Sequence, residues 1–175
     1  MTIDSTAIEK DGKRIGTGVI ARFDYTTEEN EQITLATAIS GVSMEGAAKN
    51  LQAEAPDNNF DTYLEKAKDM WSKELAKIQI DTPDKDEKTV FYTALYHSML
   101  APTIYSDVDG SYYGPDKQVH HADGWTNYST FSLWDTYRAS HPLFTYTQPE
   151  RTNDMVKSFL AFYEQHGRLP VWNFY

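Results

Sequence analysis

The spacing of apolar residues changes once along this chain, near Ser43, and that change restricts the fold to strands followed by helices. Upstream, Val19, Ala21, Phe23 and Tyr25 alternate with Ile20, Arg22 and Asp24. After the polar stretch 26–32 the alternation returns at Ile33, Leu35, Thr37 and Ile39. A period of two places successive side chains on opposite faces of a strand, so a β-hairpin is expected, entered through Gly16 and Gly18. Two strands do not make a sheet that is stable in water. The hairpin is therefore expected to complete a sheet whose other strands precede Met1.

From Ser43 the period becomes helical. Ser43 is suited to cap a helix running to about Glu54, and Pro56 with Asp57-Asn58-Asn59 interrupts it. In the next segment Phe60, Tyr63, Leu64, Ala67, Met70, Trp71, Leu75 and Ile78 share one face, opposite Glu65, Lys66, Lys68, Asp69 and Lys73. That pattern predicts a long amphipathic connector whose stripe packs as core. Thr82-Pro83 offers a cap and first-turn proline for a helix carrying Val90, Phe91, Ala94, Leu95, Ser98 and Met99, ended by Pro102. Asp107-Val-Asp-Gly110 suits a turn joining short strands at Ile104-Tyr105 and Tyr112-Tyr113. A helix over Trp134 to Ser140 is expected to stop at His141-Pro142. The last begins at Pro149, buries Met155, Val156, Phe159, Leu160 and Tyr163, and ends at Gly167.

Composition narrows the partners. Sixteen Lys and Arg against 26 Asp and Glu give a net charge of −10, which repels phosphate backbones, so nucleic acid is not expected as a partner. The absence of cysteine excludes thiolate catalysis, Cys-zinc sites and disulfides. No apolar run approaches the roughly 20 residues of a membrane span, and Met1-Thr-Ile-Asp-Ser has no basic stretch followed by an apolar one. Only five of the 24 aromatic residues precede Phe91, whereas 18 of the 26 acids do, so two kinds of environment are joined. The closing run Leu169-Pro-Val-Trp-Asn-Phe-Tyr175 needs burial partners of its own, and continuation beyond Tyr175 is expected.

Several constellations bear on chemistry. Asp107-Val-Asp109-Gly110 opens like a calcium loop, but the EF-hand order needs glycine sixth and glutamate twelfth; here glycine is fourth and Gln118 twelfth, which favours a polar turn. His120-His121-Ala-Asp123 offers ligand types, yet adjacent residues aim poorly at one ion. Glu150 and Asp154 share a helical face, where a first turn favours carboxylates without catalysis. The densest cluster, Gly124-Trp-Thr-Asn-Tyr-Ser-Thr-Phe-Ser-Leu-Trp-Asp-Thr-Tyr-Arg138, mixes aromatics, hydroxyls and charge as a sugar site does: apolar C–H faces stack on rings while hydroxyls meet charged partners. The same composition also fits an aromatic core in which Asp135 complements a helix amino terminus.

The blocks Phe91-Tyr-Thr-Ala-Leu-Tyr-His-Ser-Met-Leu-Ala-Pro102, Ser106-Asp-Val-Asp-Gly110, Phe131-Ser-Leu-Trp-Asp-Thr-Tyr-Arg138, His141-Pro142, Gln148-Pro-Glu-Arg151 and Gly167-Arg-Leu-Pro170 together resemble glycoside hydrolase family 92, the calcium-dependent exo-acting α-mannosidases. The likeness runs over about residues 40 to 175. It implies a mixed β-then-α fold: residues 1–43 as the last strands of a β-sandwich, 44–81 as a helical linker, and 82–175 as the first helices of an (α/α)6 toroid. It further implies removal of terminal α-linked mannose, often α-1,2, with inversion, from a mannose-containing glycan. A Ca2+ ion would grip the sugar hydroxyls in the complete enzyme.

Residue by residue, the resemblance matches Trp134 and Asp135 to the subsite for the terminal mannose, with Asp135 accepting from hydroxyls remote from the reacting carbon. Trp172 is placed near the same pocket by a looser match. The catalytic acid, the base and the main calcium ligands are expected beyond Tyr175, so no catalytic or metal-binding residue is assigned here. The partner is then the remainder of the same polypeptide, and the expected location is periplasmic or extracellular. A non-catalytic carbohydrate-binding or assembly module, and another toroidal hydrolase of trehalase-like or glucoamylase-like type, are the alternatives.

Overall fold

A computed structural model describes residues 2–3, 8–10, 13–15, 21–22, 24–57 and 59–173. The chain divides into two compact units, 1–34 and 35–175. In the first, β1 (Thr2–Ile3) pairs antiparallel with β4 (Ala21–Arg22), and β2 (Ile8–Lys10) with β3 (Lys13–Ile15). The expected hairpin between the 19–25 and 33–39 stretches does not form. Ala21 pairs with Ile3, residues 31–40 contain no strand, and Leu35 and Ile39 are 67% and 88% exposed. Alternation makes a strand possible but does not supply the neighbour that its backbone groups must bond. Gly16, Gly18, Val19, Ile20 and Phe23 lie outside the described residues.

The second unit is mainly helical, as the change of period predicts. Helix α1 (Met44–Glu54) begins where Ser43 accepts the Gly46 N–H. Helix α2 (Phe60–Leu75) is capped by Asn59, which accepts from Asp61 and Thr62. Its stripe is only partly covered: Trp71 packs edge-on against Tyr96 at 4.6 Å, while Phe60 and Met70 are exposed. Helix α3 (Lys85–Ser98) starts two residues later than expected. Asp84, not Thr82, is the cap, because its carboxylate accepts the N–H groups of Asp86 and Glu87 at 2.8 and 3.3 Å. Thr82 supports it, accepting from Asp84 N and donating to Glu87.

Next, β5 (Thr103–Ile104) pairs with β8 (Tyr128–Ser129), enclosing the hairpin of β6 (Ser111–Tyr113) and β7 (Val119–His121). The Asp107–Gly110 turn thus connects β5 and β6 without pairing them. Its Asp107 is buried and holds α1 in place: Oδ2 accepts from Ser40 Oγ at 2.6 Å and Oδ1 from Asn50 Nδ2 at 2.9 Å. Asn50 Oδ1 in turn accepts the Val108 N–H at 2.9 Å.

Strand β9 (Phe131–Ser132) leads into the single turn α4 (Leu133–Thr136), followed by α5 (Ser140–Thr147), α6 (Pro149–His166) and β10 (Trp172–Asn173), the partner of β9. His141-Pro142 does not stop a helix but lies in the first turn of α5. Proline is tolerated there because that N–H has no intrahelical acceptor. Helix α6 ends as predicted on Gly167, whose φ of 77° suits glycine. The core joins Tyr128, Phe131, Phe144 and Met155, with Phe159 packed against it. Val156, Leu160 and Tyr163, expected inside, are exposed, and the buried residues of α6 are Met155 and Ser158. Ser158 Oγ accepts the Tyr128 N–H at 2.9 Å, which ties α6 to β8.

Candidate functional site

The aromatic cluster 124–138 divides between two environments. Phe131, 1% exposed, packs against Phe159 with centroids 4.4 Å apart and the rings tilted by 48°, Tyr128 joins the same core, and Trp125 meets Tyr112 edge-on at 6.1 Å. These are packing residues, as the aromatic-core alternative expects. Trp134, by contrast, is 79% exposed.

The elements that carry Trp134 also bring the sequence-predicted residues together. β9 passes directly into α4, so Ser132 is at once a strand residue and the N-cap of the turn holding Trp134 and Asp135. Pairing of β9 with β10 sets Trp172 opposite Ser132. Ser132 Oγ donates to Asp135 Oδ2 and accepts from Trp172 Nε1 at 3.0 Å. An indole N–H, a hydroxyl and a carboxylate therefore form one chain, beside two tryptophans of which Trp172 is 61% exposed. Exposed rings next to a carboxylate provide apolar faces and a strong hydrogen-bond acceptor in one place.

Ser132 was not among the expected site residues. Its only sequence signal is the Ser-x-x-Asp spacing to Asp135, which also reads as a capping box. The pairing with Trp172, 40 positions away, is tertiary information. Immediately upstream, Thr130 has a φ of 64°, a region that β-branched residues rarely adopt. The β5–β8 pairing and the Thr103–Thr130 hydroxyl contact at 2.8 Å hold it there, redirecting the chain from β8 into β9. Arg138 turns onto its neighbour, its Nε donating to the Tyr137 hydroxyl at 2.6 Å.

The remaining constellations serve the fold. Asp109 accepts from Lys49 Nζ at 2.8 Å, and that bond together with those from Ser111 holds its carboxyl well below the usual carboxylate range. His120 Nε2 lies 3.0 Å from both Asp116 oxygens. Asp154 accepts the Thr126 N–H at 3.1 Å and pairs with Lys157, whereas Glu150 is exposed in the first turn of α6. No group of three or more His, Asp or Glu among the described residues is disposed to hold a metal ion. An apolar groove of about 470 Å³, lined by Trp71, Leu100, Ile104, Phe144 and Met155, lies apart from Trp134, Asp135 and Trp172. At that groove Arg151 and Glu74 bond to each other at 3.1 Å. No helix among the described residues is long and apolar enough to cross a membrane.

Residues 46–175 match the glycosyl hydrolase family 92 catalytic domain, and the chain belongs to that family. Among solved structures it is similar to the family GH92 α-mannosidase BT3965 from Bacteroides thetaiotaomicron, with 43% identity and a TM-score of 0.74 over 78% of this chain and 18% of that one. It is also similar to the family GH92 inverting mannosidase BT2199 from Bacteroides thetaiotaomicron VPI-5482, with 31% identity and a TM-score of 0.71 over 76% of this chain and 18% of that one. The chain thus spans about a fifth of the length of these relatives. The helices and short antiparallel strands agree with such neighbours. A comparison with curated protein sequences returns no match.

Proposed function

We propose that this stretch works within a longer exo-acting α-mannosidase, where it builds part of the subsite for a terminal mannose, α-1,2-linked, of a glycan. What carries the reading is the Trp172–Ser132–Asp135 hydrogen-bond chain beside the exposed ring of Trp134, on a chain that belongs to a family containing mannosidases. Trp134 and Trp172 offer apolar faces to the C–H side of the sugar. Asp135 accepts hydrogen bonds from hydroxyls away from the anomeric carbon and so fixes the ring in place.

The reaction is inverting. A carboxylic acid protonates the leaving oxygen, and a carboxylate about 6.5–9.5 Å away deprotonates the attacking water. Residues outside this stretch would supply both groups and would hold a Ca2+ ion, whose chemistry there would be Lewis-acid grip on sugar hydroxyls. On this reading the first unit belongs to a β-sandwich, α1 and α2 to a linker, and the later helices to an (α/α)6 toroid in an exported, periplasmic or extracellular enzyme. The test is the full-length polypeptide that carries this stretch, incubated with α-1,2-, α-1,3- and α-1,6-linked mannobiose while the anomer first released is followed by NMR. Expected are β-mannose, fastest from the α-1,2 substrate, and loss of activity on chelation. Well-folded protein that releases no mannose, or releases the α-anomer first, sinks the proposal.

A further inference from the structure

We infer that Ser132 is a positioning residue of this subsite, aiming the Asp135 carboxylate and tying it to the Trp172 ring. The inference rests on the subsite reading above and goes further, since neither the motif nor the family match assigns a role to this serine. The chemistry of the three groups orders the chain in one direction. An indole N–H only donates and an ionised carboxylate only accepts, so the hydroxyl between them must accept from Trp172 and donate to Asp135. Both bonds are present, at Ser132 Oγ to Asp135 Oδ2 and from Trp172 Nε1 to Ser132 Oγ at 3.0 Å.

Ser132 occupies the N-cap of α4, yet its side chain makes no cap hydrogen bond. Its one donor is directed to the carboxylate and not left to water. Helix α4 has four residues, too few to hold a side chain by itself. Asp135 is exposed, and Oδ1 accepts from none of the described residues. With Oδ2 held by Ser132, Oδ1 is the oxygen left to meet a sugar hydroxyl. Because Ser132 lies on β9 and Trp172 opposite it on β10, the same hydroxyl also sets the spacing between ring and carboxylate.

The experiment compares S132A, S132T, W172F and the S132A/W172F pair with wild type and D135N, all in the full-length polypeptide on an aryl α-mannoside. S132A is expected to raise KM about five- to tenfold, as loss of one polar contact does, with S132T within about twofold of wild type. W172F keeps the ring face and deletes the donor, so it should raise KM about threefold in wild type and not measurably in the S132A background. A serine that served stability alone would lower the fraction of active enzyme and hence kcat, leaving KM unchanged. That result, or an equal W172F effect in both backgrounds, overturns the inference. D135N separates the two levels: wild-type kinetics there removes the subsite reading itself, whereas an impaired D135N beside an unimpaired S132A removes only the positioning role. If S132A does not fold, W172F decides, and an unchanged KM in that variant overturns the proposal.

Discussion

Asp135 is the residue at which two roles of a carboxylate compete. It stands in the first turn of α4, where negative charge is favoured, three positions after a serine at the cap. As a capping group its removal would cost about 0.5–2 kcal/mol of stability and leave the kinetics of each folded molecule alone. As a sugar ligand its loss removes a charge-assisted hydrogen bond of about 1.5–3 kcal/mol, so D135N should lower kcat/KM roughly ten- to a hundredfold. Melting temperature and kcat/KM of D135N, both at saturating calcium in the full-length polypeptide, distinguish the two; a variant that only melts earlier makes Asp135 structural. His141 supports a second residue-scale prediction. Its Nε2 is buried beside Phe131 and Phe144 without a partner among the described residues, and burial pulls its pKa below the ordinary value of 6.5. The unfolded chain therefore binds this proton more readily than the folded one, so stability is retained above about pH 6.5 and declines as pH falls below it. Melting curves between pH 8 and 5 should show that decline, and H141F should flatten it.

At the scale of elements, the junction of α1 with the Asp107 turn sets local propensity against tertiary contact. Gly46 is in the first turn of α1, where alanine would ordinarily improve a helix by about 1 kcal/mol. Here a Cβ would stand 2.2 Å from Asp107 Oδ2 and 2.7 Å from Ser40 Oγ. Asp107 cannot swing aside without giving up its bonds to Ser40 and Asn50. G46A is accordingly expected to destabilise by about 1–3 kcal/mol in chemical denaturation, and a more stable G46A would show that this contact yields. Other element boundaries were legible beforehand because their causes are local. Ser43, the 56–59 break, Pro149 and Gly167 act through a side chain or a φ preference of their own. Helix α3 starts two residues beyond the expected position because Asp84 and Thr82 both suit a cap, and α5 begins where a helix was expected to stop because a proline in a first turn looks from sequence like a stop.

For the whole molecule, the span of about a fifth of the mannosidase relatives bears on activity. No described group of carboxylates holds a metal ion, and large apolar residues including Trp134, Tyr146 and Val171 are exposed. The purified 175-residue chain is expected to release no mannose from an α-mannoside, with or without calcium, and to associate at high concentration through those apolar faces. Calcium-dependent mannose release by this chain, free of contaminating enzyme, would show that acid and base lie within it. Light scattering across a concentration series checks the second part.

The run of helices after Ser43 followed from the period of the apolar residues, which depends only on how a side chain projects from its own backbone. The described strands before it, at Thr2–Ile3, Ile8–Lys10 and Lys13–Ile15, and the pairing of Ala21–Arg22 did not. The proposal that Trp134 and Asp135 line a subsite comes from motif resemblance, since adjacent residues travel together. What those patterns left open needed partners distant in the chain. The 33–39 alternation found no neighbouring strand, and Val156, Leu160 and Tyr163 found nothing to cover them among the described residues. Asp107 resembles a metal ligand until Ser40 and Asn50 occupy its oxygens. Ser132 is an ordinary hydroxyl until β10 lays Trp172 across it. Periodicity and capping belong to a few consecutive residues; burial and hydrogen-bond direction belong to the pair, and only folding decides which pair that is.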